Sequence, residues 1–163
     1  MRESAVNLQF AAEGADATRV LGARLASALR RSAAAAAAPM LVTLSGDLGA
    51  GKTTFVGGLL DALGHVGPVR SPTYTLIEPY RFGDRDVYHC DLYRLRHSDE
   101  LEDLGLRDLR RPGSTLLVEW PEKAEGRLGA PDVTIGFEYA GDAARALVFA
   151  AQTLVGSDVL AHL

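Results

Sequence analysis

The chain has 163 residues, of which 47% are hydrophobic and 23% are charged. This composition is typical of one globular domain with enough core to fold unaided, so we expect a single domain over 1–163. Its formal net charge of -4 disfavours non-specific binding to nucleic acid. The lone Cys90 excludes an intramolecular disulfide or a cysteine-based zinc site and favours a reducing, cytoplasmic location. The longest apolar stretch, 33–44, contains Pro39 and is much shorter than the ~20 residues that cross a bilayer, so no membrane segment is predicted.

Strands and helices alternate in the first part of the chain. Apolar and polar side chains alternate over 6–10, which predicts a strand. Apolar residues at helical spacing then predict a helix over about 16–31. The alanine run 33–38 is interpreted as the end of this helix or as a loop, and Pro39 terminates it. The apolar run 40–44 is the next predicted strand.

The second half of the chain continues in the same α/β style. Gly105 is expected to stop a short acidic helix that Ser98 caps. Alternating apolar residues on both sides of Gly141-Asp142 predict a closing antiparallel hairpin. The predicted elements are a loop entering a strand at 71–77, strands at 87–90 and 115–118, a helix from Ser98 through Leu104, and hairpin strands at 133–139 and 146–150.

A glycine-rich turn follows the strand at 40–44. Its sequence, Gly46-Asp47-Leu48-Gly49-Ala50-Gly51-Lys52-Thr53, matches the phosphate-loop pattern G-x-x-x-x-G-K-[ST] at a strand-to-helix junction. Such glycines let main-chain N–H groups surround phosphate oxygens, with the positive end of a helix behind them. Lys52 supplies a charge between the terminal phosphates, and the Thr53 hydroxyl is placed to bind Mg²⁺. About 0.002 such matches are expected in a shuffled chain of this composition, so we predict a nucleotide-phosphate site.

Two acids, Asp91 and Glu119, terminate apolar strands. Ligands of open α/β sheets bind beyond the carboxyl ends of the strands, so these carboxylates are expected near a metal-bound phosphate. Asp91 follows 87–90 as a Walker-B-type carboxylate that orients Mg²⁺ directly or through water. Glu119 either binds the metal ion or polarises the attacking water, and both roles stay open here. The alternative for each acid is a side chain that caps a helix or faces water.

Other polar residues near these segments have two interpretations each. Asp47 lies inside the phosphate loop, where it restrains the idle state or is a surface acid in a turn. Ser71 and Thr73 flank Pro72 and either contact the γ-phosphate, as a switch segment does, or cap a loop. His89 stands in an apolar strand, and we expect it to fill the core.

Five segments of the chain stand in a characteristic order and spacing. They are Gly46-Asp47-Leu48-Gly49-Ala50-Gly51-Lys52-Thr53-Thr54-Phe55, Ser71-Pro72-Thr73-Tyr74-Thr75-Leu76, His89-Cys90-Asp91-Leu92-Tyr93-Arg94-Leu95, Glu100-Leu101 with Gly105, and Glu119-Trp120-Pro121. Together they resemble the TsaE family, the small bacterial ATPases needed for threonylcarbamoyladenosine modification of tRNA beside the anticodon. The resemblance covers nearly the whole chain.

The predicted elements and this resemblance imply a P-loop NTPase-like α/β fold of three layers. Its central sheet is mixed and mainly parallel, and the C-terminal hairpin is antiparallel. The resemblance further implies an Mg²⁺-dependent ATPase that binds ATP and ADP and acts with a complex of TsaD and TsaB. Those partners carry the transferase chemistry, so tRNA is expected to be contacted indirectly.

The resemblance also implies roles for single residues. Lys52 and Thr53 hold phosphate and Mg²⁺, Asp91 and Glu119 complete the metal and water site, and Trp120 lies near the nucleotide. Glu122 and Arg145 are further expected nucleotide contacts. Arg145 departs from the Gly-Arg pair of the family, because Ala143 and Ala144 precede it.

Two other functions fit a phosphate loop. A small-molecule kinase needs an acceptor pocket and an arginine-bearing lid, for which 107–113 is the sole and short candidate. A nucleotide sensor binds ATP without hydrolysing it, whereas Asp91 and Glu119 at consecutive strand ends favour chemistry. Acceptor-dependent ADP formation indicates a kinase, and binding without turnover indicates a sensor.

Overall fold

A computed structural model describes residues 6–72 and 74–163. Thr73, one of the two hydroxyl residues expected near the γ-phosphate, therefore lies outside the described residues. The strands are β1 (Asn7–Glu13), β2 (Met40–Ser45), β3 (Ile77–Phe82), β4 (Arg85–Asp91), β5 (Ser114–Glu119), β6 (Val133–Tyr139) and β7 (Ala144–Ala151). The helices are α1 (Gly14–Arg31), α2 (Ala33–Ala37), α3 (Lys52–Leu63), α4 (Glu100–Asp103), α5 (Leu106–Leu109) and α6 (Leu154–Leu160), with a 3-10 turn at Pro121–Ala124.

The seven described strands form one sheet in the order β1-β7-β6-β2-β5-β4-β3. Its centre is parallel, because β2 pairs with both β5 and β6 and β5 also pairs with β4. Both margins are antiparallel: β6, β7 and β1 form one, and β3 pairs with β4 at the other. The mixed sheet with its parallel core and C-terminal hairpin confirms the predicted fold class.

The alternation of side chains along the central strands divides the core between two faces of the sheet. On one face, Met40, Val42 and Leu44 belong to a large buried cluster with side chains of α1, α3 and α6. On the other face, Leu41 and Leu116 pack with residues of the short helices α4 and α5. Helices thus cover both faces, which gives the predicted three layers.

Two local predictions were wrong. The alanine run neither extends α1 nor forms a loop, because Ser32 separates it as the short helix α2 and its hydroxyl accepts the Ala35 N–H at 3.0 Å. Ser98 does not cap α4, because no side chain caps the start of this helix, and the Ser98 hydroxyl donates to Glu125 Oε2 at 3.2 Å. Instead, Glu100 Oε1 accepts the backbone N–H groups of 96 and 97 just before the helix.

Among residues 6–72 and 74–163, no helix combines the length and apolar character needed to cross a membrane.

Candidate functional site

The phosphate loop connects the carboxyl end of β2 to the first residue of α3. Within the described residues, the backbone N–H groups of Gly49, Gly51, Lys52 and Thr53 donate to no acceptor, as expected where a helix begins. Gly51 adopts φ +105°, a left-handed conformation that glycine reaches without steric cost. The loop thus presents unpaired donors at the positive end of a twelve-residue helix, which favours an anion.

A cavity of about 380 Å³ opens beside this loop. It brings together predicted residues from four separate parts of the chain. Those that line it are Leu48, Gly49, Ala50, Gly51, Lys52, Thr53, Thr54, Ser71, Asp91, Glu119 and Trp120. Gly46, Asp47, Glu122 and Arg145 are not among its lining residues.

Lys52 is folded back onto the loop. Its Nζ donates to the carbonyl oxygens of Gly46 at 2.5 Å and Asp47 at 2.9 Å, and lies 4.3 Å from the centre of the Trp120 ring. Burial lowers the pKa of Lys52, while Glu119 and Asp91 act in the opposite direction on that pKa. The lysine is thus held by carbonyls and an aromatic face beside two acids, where it offers a positive charge to the cavity.

Asp91 and Glu119 lie side by side. They are register partners at the ends of the parallel strands β4 and β5, as expected for acids that terminate neighbouring strands. Asp91 is half-buried, and its Oδ1 accepts the Tyr93 N–H at 2.9 Å. Glu119 is only 3% exposed, although it lines the cavity. Two carboxylates therefore stand at one edge of the sheet, close to the start of α3.

The Thr53 hydroxyl joins the start of α3 to Glu119. It donates to Glu119 Oε1 at 2.9 Å, and Ser71 Oγ lies 2.6 Å from Thr53 Oγ1. Because the single Thr53 proton is directed to the carboxylate, the serine hydroxyl is the donor in the second contact. The structure thus links the segment before β3 to the start of α3 and to the end of β5.

His89 fills the core as expected, being fully buried, but it also has a partner that the sequence analysis missed. Its Nε2 lies 2.8 Å from Glu119 Oε1. The missed signal is the spacing of two between His89 and Asp91, which places both side chains on one face of β4. Glu119 of β5 pairs in register with Asp91 of β4. Glu119 and His89 are therefore diagonal neighbours across these two strands.

Aromatic side chains border the cavity. Trp120 adopts φ +58° and its ring lies 4.9 Å from that of Tyr93, centre to centre. Tyr139 does not line the cavity, but its hydroxyl donates to the Leu48 carbonyl of the phosphate loop at 3.1 Å. One aromatic contact thus lies at the acidic strand end, and the other holds the phosphate loop.

The two remaining predicted residues lie outside the cavity. The Arg145 guanidinium stacks at 4.2 Å on the Tyr139 ring, so it reaches the phosphate loop only through that tyrosine. Glu122 is exposed, and its charge acts on Lys52 at a distance by raising the lysine pKa against the lowering effect of burial. Neither side chain makes a hydrogen bond or ion pair with the described residues of the loop.

The parallel core, the loop and the helix that begins at Lys52 place the chain in the class of proteins with a P-loop NTPase-like fold. The crystal structure titled Bacillus subtilis YdiB has this architecture, with a TM-score of 0.67 and 30% identity over 98% of both chains.

The sequence comparisons identify the family. A family profile described as threonylcarbamoyl adenosine biosynthesis protein TsaE matches residues 12–147. The tRNA threonylcarbamoyladenosine biosynthesis protein TsaE of Haemophilus influenzae is 46% identical over 121 residues, which are 74% of this chain and 76% of that protein. Its namesake from Bacillus subtilis is 43% identical over 68% of this chain and 69% of that protein. The chain therefore belongs to the TsaE family.

Proposed function

We propose that this chain is a Mg²⁺-dependent ATPase that supports the formation of threonylcarbamoyladenosine in tRNA. The relatives are named for the biosynthesis of this modified nucleoside. The observation that carries the ATPase proposal is the arrangement of unpaired loop amides, Lys52 and two adjacent carboxylates around one cavity. These groups complement a nucleotide phosphate chain and the cation that accompanies it.

The donor set fits a nucleoside triphosphate with Mg²⁺. The loop amides and Lys52 would hold phosphate oxygens, because both offer N–H donors and positive charge. Thr53 and Asp91 would hold Mg²⁺, which takes few protein ligands and completes its shell with water and phosphate oxygens. Consistent with that preference, residues 6–72 and 74–163 contain no cluster of three or more His, Cys, Asp or Glu able to bind a metal by themselves.

Each protein group has a defined task in this proposal. When bound, Mg²⁺ would neutralise the charge that develops on the phosphates. Lys52 leaves the Gly46 and Asp47 carbonyls to bind the terminal phosphates. Glu119 orients the attacking water or binds the metal ion, and its nearly complete burial holds it in place. The rings of Trp120 and Tyr93, 4.9 Å apart, line one part of the cavity.

We further propose that the chain works with a TsaD–TsaB-like complex that binds the tRNA. The net charge of -4 supports this division, since a sequence-wide basic field is lacking. Leu48 and Tyr139 are 69% and 51% exposed beside the phosphate loop, which supports a partner surface near the nucleotide. ATP binding and hydrolysis would then drive or reset the complex.

The lid expected of a kinase is not supported. Arg107, Asp108 and Arg110 line a separate cavity of about 450 Å³. Its other lining residues include leucines that pack on the face of the sheet covered by α4 and α5. None of the three lines the phosphate-loop cavity.

The experiment combines the purified chain with TsaD, TsaB, tRNA, ATP and Mg²⁺ and measures free phosphate and the modified nucleoside. Phosphate release and nucleoside formation that both depend on Lys52 support the proposal. ADP formation that requires a small-molecule acceptor would establish a kinase instead. Binding without turnover, with the partners present, would establish a sensor.

A further inference from the structure

We propose that His89 is a positioning residue that fixes the Glu119 carboxylate for ATP hydrolysis. This inference rests on the proposed ATPase function and assigns a task to a buried imidazole that does not line the phosphate-loop cavity. His89 acts through Glu119, which faces the cavity from the end of β5.

The contact has the geometry of a strong hydrogen bond. His89 Nε2 lies 2.8 Å from Glu119 Oε1, and the two side chains are 0% and 3% exposed. Water therefore competes little for either group. Glu119 Oε1 also accepts the Thr53 hydroxyl, whereas Glu119 Oε2 accepts no hydrogen bond from a described residue. One oxygen is anchored twice, and the other is available to a reacting water or cation.

The second imidazole nitrogen defines the tautomer. His89 Nδ1 is buried and has no hydrogen-bond partner in the described part of the chain. A proton on Nδ1 would bury an unpaired donor and would leave Nε2 as an acceptor facing a carboxylate oxygen. The proton therefore resides on Nε2 and is donated to Glu119.

The two anchors of Glu119 differ in position. Thr53 lies at the start of α3 and is a proposed Mg²⁺ ligand; a bound cation would take an oxygen lone pair that faces Ser71, whereas the hydroxyl proton stays available to Glu119. His89 lies on β4 within the sheet, outside the phosphate-loop cavity. His89 thus holds Glu119 from the core side, away from the groups that would bind nucleotide and metal.

Three substitutions separate a hydrogen bond from simple core filling. His89→Leu keeps an apolar side chain but removes the donor. His89→Gln places an amide N–H at the level of Nε2, whereas His89→Asn is shorter and places its amide at the level of Nδ1. We expect His89→Leu and His89→Asn to lower kcat by about 10- to 100-fold, as is usual when a site residue loses the hydrogen-bond partner that orients it. We expect His89→Gln to keep most of the wild-type kcat.

Two measurements without turnover accompany the kinetics. Calorimetry should give the same ADP affinity for wild type and all three variants within about threefold, because the phosphate loop is unchanged. In the free wild-type protein, ¹⁵N-edited NMR of the His89 ring should show the proton on Nε2. Urea unfolding identifies any variant that fails to fold, and only folded variants are compared.

Several results would overturn the inference. These are unchanged kcat in folded His89→Leu, equal kcat in His89→Asn and His89→Gln, a loss of ADP affinity as large as the loss of kcat, or a ring proton on Nδ1. A wild-type chain that hydrolyses no ATP with its partners contradicts the proposed function instead. The ring tautomer and the Glu119 contact are then still decided by the NMR measurement on the free protein.

Discussion

At the scale of single residues, the chemistry of the site depends on a lysine and a carboxylate with separable tasks. Lys52 contacts the loop carbonyls and faces both acids, whereas Glu119 is buried between His89 and Thr53. A residue that binds phosphate should affect affinity and turnover together. A residue that orients water should affect turnover alone.

The first prediction concerns Glu119→Ala. We expect this variant to bind ADP with nearly wild-type affinity and to lose at least about 100-fold in kcat, because general-base catalysis is worth 10²- to 10⁴-fold. Calorimetry and phosphate release measure the two quantities. Normal hydrolysis by the folded variant would remove Glu119 from the catalytic machinery. A large fall in Mg²⁺-dependent affinity would assign it to the metal.

The second prediction uses Trp120, the chain's single tryptophan. Its ring lies against Lys52 Nζ and Tyr93, so movement of the lysine toward phosphate must change the environment of the indole. Tryptophan fluorescence should therefore change on titration with Mg²⁺ and ADP and should saturate. Lys52→Ala, titrated in parallel, should give no comparable change at the same concentrations. A constant signal at saturation in the wild type would place the nucleotide away from Trp120.

At the scale of elements, the start of α3 depends on how closely α1 and α3 pack. A Cβ built on Gly58 would lie 2.1 Å from the Arg19 carbonyl oxygen and 2.6 Å from its Cα. Gly22 of α1 makes the reciprocal approach, with 2.1 Å to the Phe55 carbonyl oxygen. Because α3 carries Lys52 and Thr53, the spacing of these two helices helps to position the phosphate site.

The third prediction compares two adjacent glycines. Gly58→Ala should destabilise the protein by about 1–3 kcal/mol, since the methyl group meets backbone that must shift. Gly57→Ala is the matched control, because its Cβ would meet side chains and no backbone: the end of Arg19 at 3.0 Å and Val69 Cβ at an ordinary 3.8 Å. The control should be neutral or more stable by up to about 1 kcal/mol, as expected for alanine in a helix. Urea unfolding measures both, and equal stabilities would contradict the packing argument.

Local patterns explain why the sequence predicted so much of this architecture. The phosphate loop, the strands ending at Asp91 and Glu119 and the C-terminal hairpin each have a signature within a few residues. The pairing of β1 with β7 has none, because its partners are separated by more than one hundred residues. The contact of His89 with Glu119 likewise depends on which strands become neighbours, as does the bond from Tyr139 to the phosphate loop.

At the scale of the whole molecule, the fourth prediction concerns turnover. Arg94 lines the cavity, but it is exposed and makes no hydrogen bond or ion pair with the described residues. Among the described residues that line the cavity, no arginine is therefore fixed in advance to stabilise the transition state, a contribution worth about 10³- to 10⁵-fold where it is present. We expect slow phosphate release by the isolated chain and different turnover when TsaD and TsaB are added. Fast hydrolysis by the chain alone would contradict this expectation.

The central claim is that the loop from Gly46 to Thr53 binds the phosphates of a Mg²⁺-nucleotide. Isothermal titration of the whole chain with non-hydrolysable ATP analogue and Mg²⁺ tests it most directly. We predict saturable binding with one site per chain, weakened about 10- to 150-fold in Lys52→Ala, as for the loss of a hydrogen bond to a charged group. Absence of binding heat at several temperatures, or equal affinity in the variant, would contradict the account.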